Sequence, residues 1–165
     1  MPERTLTRGS LEVDLGKSLR NNGLTLALAE SCTGGLVAHV VTNVPGSSDY
    51  FDRGIVSYSN MAKRELLNVR ERSLMEHGAV SEKVALEMAR GVKDNAGTEI
   101  GLSTTGIAGP AGGTEEKPVG LVYVGLVIAD EDYVRRLNLD GDRKTNKRLT
   151  ARRALEFLLD EVSNL

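Results

Sequence analysis

The segment Leu24-Thr25-Leu26-Ala27-Leu28-Ala29 is a nearly unbroken apolar run that stops abruptly at Glu30-Ser31-Cys32-Thr33-Gly34-Gly35. A run this short, without polar alternation, fits a strand buried on both faces, and such strands belong to sheets covered by helices on both sides. The rest of the chain supplies the elements such a sheet needs. Leu11, Leu15 and Leu19 recur at helical spacing before an Asn21-Asn22-Gly23 stop. The spacing predicts a helix from Thr33 to Thr42, opened by Gly34-Gly35, then a Pro45–Asp49 loop and a second strand over Gly54–Tyr58. Asn60 would cap a helix from Met61 to Asn68, with Leu66 and Leu67 inward. Ser81 would cap another, with Val84, Met88 and Val92 on one side. Ile100–Thr105 reads as a third strand and Gly106–Gly113 as a glycine-rich loop. Val119–Ala129 and Tyr133–Leu139 flank Asp130-Glu131-Asp132 and suggest an antiparallel hairpin. A last helix starts near Arg143, with Leu149, Leu155 and Leu158 in the core. Strands alternating with helices and then a hairpin imply a three-layer α/β/α domain with a mixed sheet, ending in a hairpin plus helix.

The 165 residues fit one domain, residues 1–165, with an aliphatic core because Trp is absent and Phe and Tyr are few. A net charge of -2 gives no electrostatic reason to expect a nucleic acid or an anionic membrane as partner. The lone Cys32 has no intramolecular disulfide partner, and no Cys/His cluster suggests a metal. Met1–Ser10 has no apolar signal core, and no run approaches the roughly 20 residues that span a bilayer. A cytoplasmic compartment is the simplest expectation.

Ligands of open α/β sheets collect at the carboxyl ends of strands, and three segments are candidates for that position. At the first, Ser31 sits beside unpaired N–H groups and the positive end of a helix, a nucleophile with an oxyanion hole built in. Two alternatives remain open there: Ser31 or Thr33 is only an N-cap, or Cys32, its thiol activated by the same helix end, is the nucleophile. A Ser-His-Asp triad is not favoured. His39 lies about two turns down the helix from Ser31, and His77 falls in a surface turn. The second segment offers Lys63 in a first helical turn, where the dipole and partial burial favour the neutral amine; it also reads as an ordinary surface lysine. A neutral lysine can take a serine proton, and Tyr58 could relay that proton or orient the amine. The third, Thr104 to Thr114, is the densest glycine cluster, able to wrap a phosphate or merely to connect. Lys117 follows it and could add charge, while Gly141-Asp142-Arg143 is a weaker anion candidate.

Ala29-Glu30-Ser31-Cys32-Thr33-Gly34-Gly35, Pro45-Gly46-Ser47-Ser48, Tyr58-Ser59-Asn60 with Lys63, and Thr105-Gly106-Ile107-Ala108-Gly109-Pro110 together resemble the CinA C-terminal domain family. Gly112-Gly113-Thr114, Lys117-Pro118-Val119-Gly120 and Gly141-Asp142-Arg143 continue the likeness in the same order. The resemblance implies a metal-free serine amidohydrolase, without a cofactor, that deamidates nicotinamide mononucleotide to nicotinic acid mononucleotide. It implies Ser31 as nucleophile, Lys63 as base and Tyr58 as helper, with the backbone of Cys32, Thr33 and Gly34 at the oxyanion. Gly35, Asn60, Thr105, Gly106, Ala108, Gly109 and Arg143 would line the nucleotide site. Family analogy also favours a homo-oligomer. The competing expectation is a non-catalytic nucleotide- or partner-binding module linked to competence or DNA damage. Arg53, where a smaller residue is expected before Gly54, departs from the pattern and is a further phosphate candidate. Family members are often fused behind a larger N-terminal domain, whose activities do not carry over.

Overall fold

Leu15 and Leu19 are buried on helix α1 (Leu11–Asn21), and the left-handed Gly23 then turns the chain into strand β1 (Leu26–Glu30). A computed structural model describes residues 11–165, so the reading of Met1–Ser10 lies outside the described residues. After β1 come α2 (Leu36–Thr42), β2 (Phe51–Val56), α3 (Asn60–Leu67), α4 (Glu71–His77) and α5 (Glu82–Ala96). The chain continues with β3 (Ile100–Gly106), the hairpin β4 (Leu121–Ile128) and β5 (Glu131–Asn138), and α6 (Arg143–Ser163). The sheet order is β2-β1-β3-β4-β5. Strands β2, β1 and β3 run parallel, and β4 and β5 are antiparallel additions, giving the expected mixed sheet.

Side chains of a strand alternate between faces, and the packing follows that alternation. Leu26 and Leu28 of β1, Ile100 and Leu102 of β3, and Val122, Val124 and Leu126 of β4 face a core shared with α1, α2 and α6. Ala27 and Ala29 face the opposite layer, where Val84, Met88 and Val92 of α5 and Leu67 of α3 pack. Two helical layers therefore sandwich the sheet. Among the described residues no helix is long and apolar enough to cross a membrane.

Several boundaries differ from the sequence expectations, each for a physical reason. Helix α2 begins at Leu36 rather than Thr33, because Gly34 and Gly35 take φ values of 61° and 101°, outside the helical region. Strand β2 starts and ends earlier than expected, leaving Tyr58 in the connection to α3. The cap of α3 is Ser59, whose Oγ accepts from the Ala62 N–H at 3.0 Å, rather than Asn60. Leu66 is exposed, since residues four apart share a helix face and Leu67 shares the inward one with Lys63. Helix α4 ends at His77 where only a turn was expected; it is short and lacks a side-chain cap to announce it. Leu149 is half-buried, whereas Leu155 and Leu158 are core residues.

Candidate active site

The alternation along β1 separates two consecutive polar residues. Glu30 shares the face of Leu26 and Leu28 and meets α2, where its carboxylate accepts from the N–H groups of Val37 at 2.8 Å and Ala38 at 3.0 Å. Ser31 continues on the other side, toward α3. The backbone at this point is pinned by both neighbouring strands: Ser31 N–H donates to Thr104 O at 2.9 Å and Ser57 N–H to Glu30 O at 2.8 Å. The serine thus leaves the sheet from a rigid base.

Lys63 reaches it from α3. Its Nζ lies 2.9 Å from Ser31 Oγ, 2.9 Å from Ser57 O and 3.5 Å from Tyr58 O. The side chain is only 1% exposed, and no carboxylate lies within ion-pair distance among the described residues. Loss of hydration therefore pushes the amine below the usual lysine range, opposed only by the nearby Cys32 sulfur. As an ammonium, Nζ donates to all three oxygens, and the same neighbours also accommodate the neutral amine. A neutral amine has two protons and one lone pair; the protons serve the two carbonyls, and the lone pair accepts from the Ser31 O–H.

Cys32 is a poor rival. Burial pushes its thiol up to about 12, with the Glu30 charge adding to the rise, so the thiol stays protonated near neutral pH. The helix end does not activate it as expected, because Glu30 fills that end from inside. In the turn after Ser31, Gly34 N–H is committed to Ser31 O at 3.1 Å, which removes Gly34 from the expected oxyanion donors. The N–H groups of Cys32 and Thr33 have no oxygen acceptor among the described residues.

Ser31 and Lys63 open onto a cleft of about 280 Å³ at the carboxyl ends of β1 and β3. Cys32, Tyr58, Asn60, Thr105, Gly106, Ala108, Gly109 and Arg143 all line it. Thr33, Gly34 and Gly35 do not: Thr33 is buried against Glu30, and the two glycines form the back of the turn. Thr105 contributes wall rather than a free hydroxyl, since its Oγ1 donates to Ala79 O at 2.8 Å. Arg143 bridges the mouth, donating to Gly109 O at 2.7 Å and to Tyr58 Oη at 3.0 Å. The Tyr58 hydroxyl is thus held by Arg143, and only its carbonyl faces Lys63. Lys117 and Arg53 do not line the cleft, whereas Arg143 does. Lys117 Nζ is bonded to His77 O, and Arg53 pairs with Asp52 and Asn95.

The family model for the CinA C-terminal domain matches residues 8–162. The chain belongs to that family. A CinA-like protein of Kosmotoga olearia is 53% identical over 149 residues, 90% of this chain but only 36% of its own length. The chain thus spans little more than a third of the curated relatives it matches. Among solved structures, a CinA superfamily protein from Klebsiella pneumoniae superposes with a TM-score of 0.92 at 31% identity, covering 94% of this chain and 98% of that one. The competence/damage inducible protein CihA from Agrobacterium tumefaciens gives 0.87 at 39% identity, over 92% and 95%. This CinA domain also uses residues that sequence reasoning missed. Ala79 and Val80, just ahead of α5, form one wall of the cleft. Asn146, 1% exposed, donates to Ala108 O at 3.0 Å and Gly141 O at 2.9 Å, tying the glycine-rich loop to α6. An Asn three residues beyond a predicted helix start was the available signal, but its partner lies 38 residues away.

Proposed function

We propose that this domain is a serine amidohydrolase that converts the carboxamide of nicotinamide mononucleotide to the carboxylate, releasing ammonia. The observation that carries the reading is the buried Lys63 amine, 2.9 Å from the Ser31 hydroxyl and without a carboxylate to hold it charged. Lys63 takes the Ser31 proton as Oγ attacks the amide carbon. The resulting oxyanion meets the N–H of Cys32, which lines the cleft. Protonated Lys63 returns the proton to the departing nitrogen, the C–N bond breaks, and ammonia leaves an acyl-Ser31. Water, deprotonated by the same amine, then releases the acid and restores the serine. Tyr58 contributes its carbonyl to orient Lys63 and its ring to the cleft mouth. The site chemistry supports an amide substrate; nicotinamide mononucleotide as the amide rests on the family resemblance, together with a glycine-rich loop suited to a phosphate.

The test is ammonia release from nicotinamide mononucleotide by chelator-treated protein, beside Ser31→Ala. Release that survives the chelator and falls by several orders of magnitude in the variant is the expected result. Equal rates with the riboside would remove the phosphate role of the loop. A ligand-dependent rise in melting temperature with no ammonia would instead favour a nucleotide-binding module.

A further inference from the structure

Among the described residues Glu30 is the only carboxylate drawn fully inside the fold, 1% exposed, and it has no cationic partner. Burying a charge this way is costly unless hydrogen bonds replace its water. Three do. Oε1 accepts from Thr33 Oγ1 at 2.6 Å and Val37 N–H at 2.8 Å, and Oε2 accepts from Ala38 N–H at 3.0 Å. The Thr33 hydroxyl has one proton, given to Glu30, so the 2.7 Å contact with Thr104 Oγ1 is donated by Thr104. A relay thus runs from β3 through the turn to the residue before the nucleophile.

The turn needs this anchor. Residues 31–35 carry two consecutive left-handed glycines, and four backbone bonds involve them: Ser31 N–H to Thr104 O, Gly34 N–H to Ser31 O, Leu36 N–H to Thr33 O and His39 N–H to Gly35 O. None of these bonds uses the N–H of Cys32 or of Thr33. Glu30 grips the turn at Thr33 and the helix behind it at Val37 and Ala38, and so fixes both ends of the loop. It also fills the first-turn donors of α2, which leaves the turn itself as the source of oxyanion donors.

Building on the amidohydrolase reading, we infer that Glu30 is a positioning residue for catalysis: it holds the 31–35 turn so that the Cys32 N–H, at the cleft, meets the oxyanion while Ser31 stays on Lys63. A glutamine does this only in part: its carbonyl oxygen can still accept from Thr33 and Val37, but its NH2 would face the Ala38 N–H and leave that donor unpaired.

Steady-state ammonia release and fluorophosphonate labelling of Ser31 test it, on Glu30→Gln and on Thr33→Val, which removes only the hydroxyl link. In labelling, Ser31 Oγ displaces fluoride at phosphorus and Lys63 takes the proton, so the readout needs no assumption about substrate. In Glu30→Gln, kcat and the labelling rate fall on the order of 10²-fold, as for loss of one oxyanion donor, with KM within about twofold. In Thr33→Val both fall by about tenfold, the share of one hydrogen bond. Should Glu30→Gln not fold, Thr33→Val decides. A folded variant with wild-type kcat and labelling, or a loss confined to KM, overturns the inference. No ammonia from the wild type with Ser31 labelled slowly in the variants would reject the substrate and keep the inference; no labelling of the wild type would reject both.

Discussion

Replacing Lys63 by methionine gives the sharpest test of a neutral buried amine, because it separates a rate effect from a pH effect on stability. Methionine nearly matches the stem in volume but has no lone pair to take the Ser31 proton. Loss of a general base lowers kcat by about 10² to 10⁴-fold, or about 3–5 kcal/mol in the barrier. The stability effect follows from burial. Lys63 is 1% exposed and its folded-state pKa lies below the ordinary 10.5. Between those two values the unfolded chain binds a proton that the folded chain lacks, so wild-type stability rises with pH toward 10.5. The slope approaches about 1.4 kcal/mol per pH unit where the folded amine is neutral and the unfolded one charged. From pH 8 to pH 10 the wild type therefore gains stability over Lys63→Met, which lacks this proton. Urea denaturation of both proteins at the two pH values measures the difference directly. Parallel curves would mean that Lys63 keeps its proton in the folded protein, and the general-base role would fall with them.

Cys32→Ala should keep turnover within about threefold, because a thiol pushed up to about 12 supplies almost no thiolate at pH 8. A loss as deep as that of Ser31→Ala would transfer the nucleophile to Cys32. Gly91→Ala should lower the melting temperature by several degrees: its Cβ would fall 1.9 Å from Leu67 O, where α5 crosses α3, and overpacking of about 1–3 kcal/mol outweighs the gain of about 1 kcal/mol in helix propensity. Leu67 ends the helix that carries Lys63, so activity should drop as well; a calorimetric rise in Tm would refute the clash.

The parts of the site legible in the sequence are those set by local chemistry. The apolar run ending at Glu30, the hydroxyl just beyond it and a lysine in the first turn of α3, the helix after β2, are all within reach of strand and helix periodicity. Residues whose partners are remote backbone groups were not legible. Glu30 reads as the polar end of a strand until α2 folds back onto it, and Asn146 reads as a surface helix residue until Ala108 arrives beneath it. Lys63 was placed correctly in its helix, but its burial depends on Leu67 taking the same face, a choice that two adjacent leucines leave open. The two glycines after Thr33 mark the same limit. The sequence pattern predicts that they open a helix, whereas their left-handed φ values delay it and create the turn that follows Ser31.

The chemistry of the site finally depends on a register of one residue. Strand β1 lies between β2 and β3; the connection through α2 leaves on one face of the sheet and that through α3, α4 and α5 returns on the other. At the carboxyl end of β1 the two layers part, and consecutive residues enter different layers. Glu30 goes to α2, where three donors await a carboxylate, and Ser31 goes to α3, where an amine awaits a proton. Removing one residue from β1 would exchange their faces. The carboxylate would then approach Lys63 and hold it charged, while the serine faced the α2 amides with no base in reach. The contact between Ser31 and Lys63 would be lost.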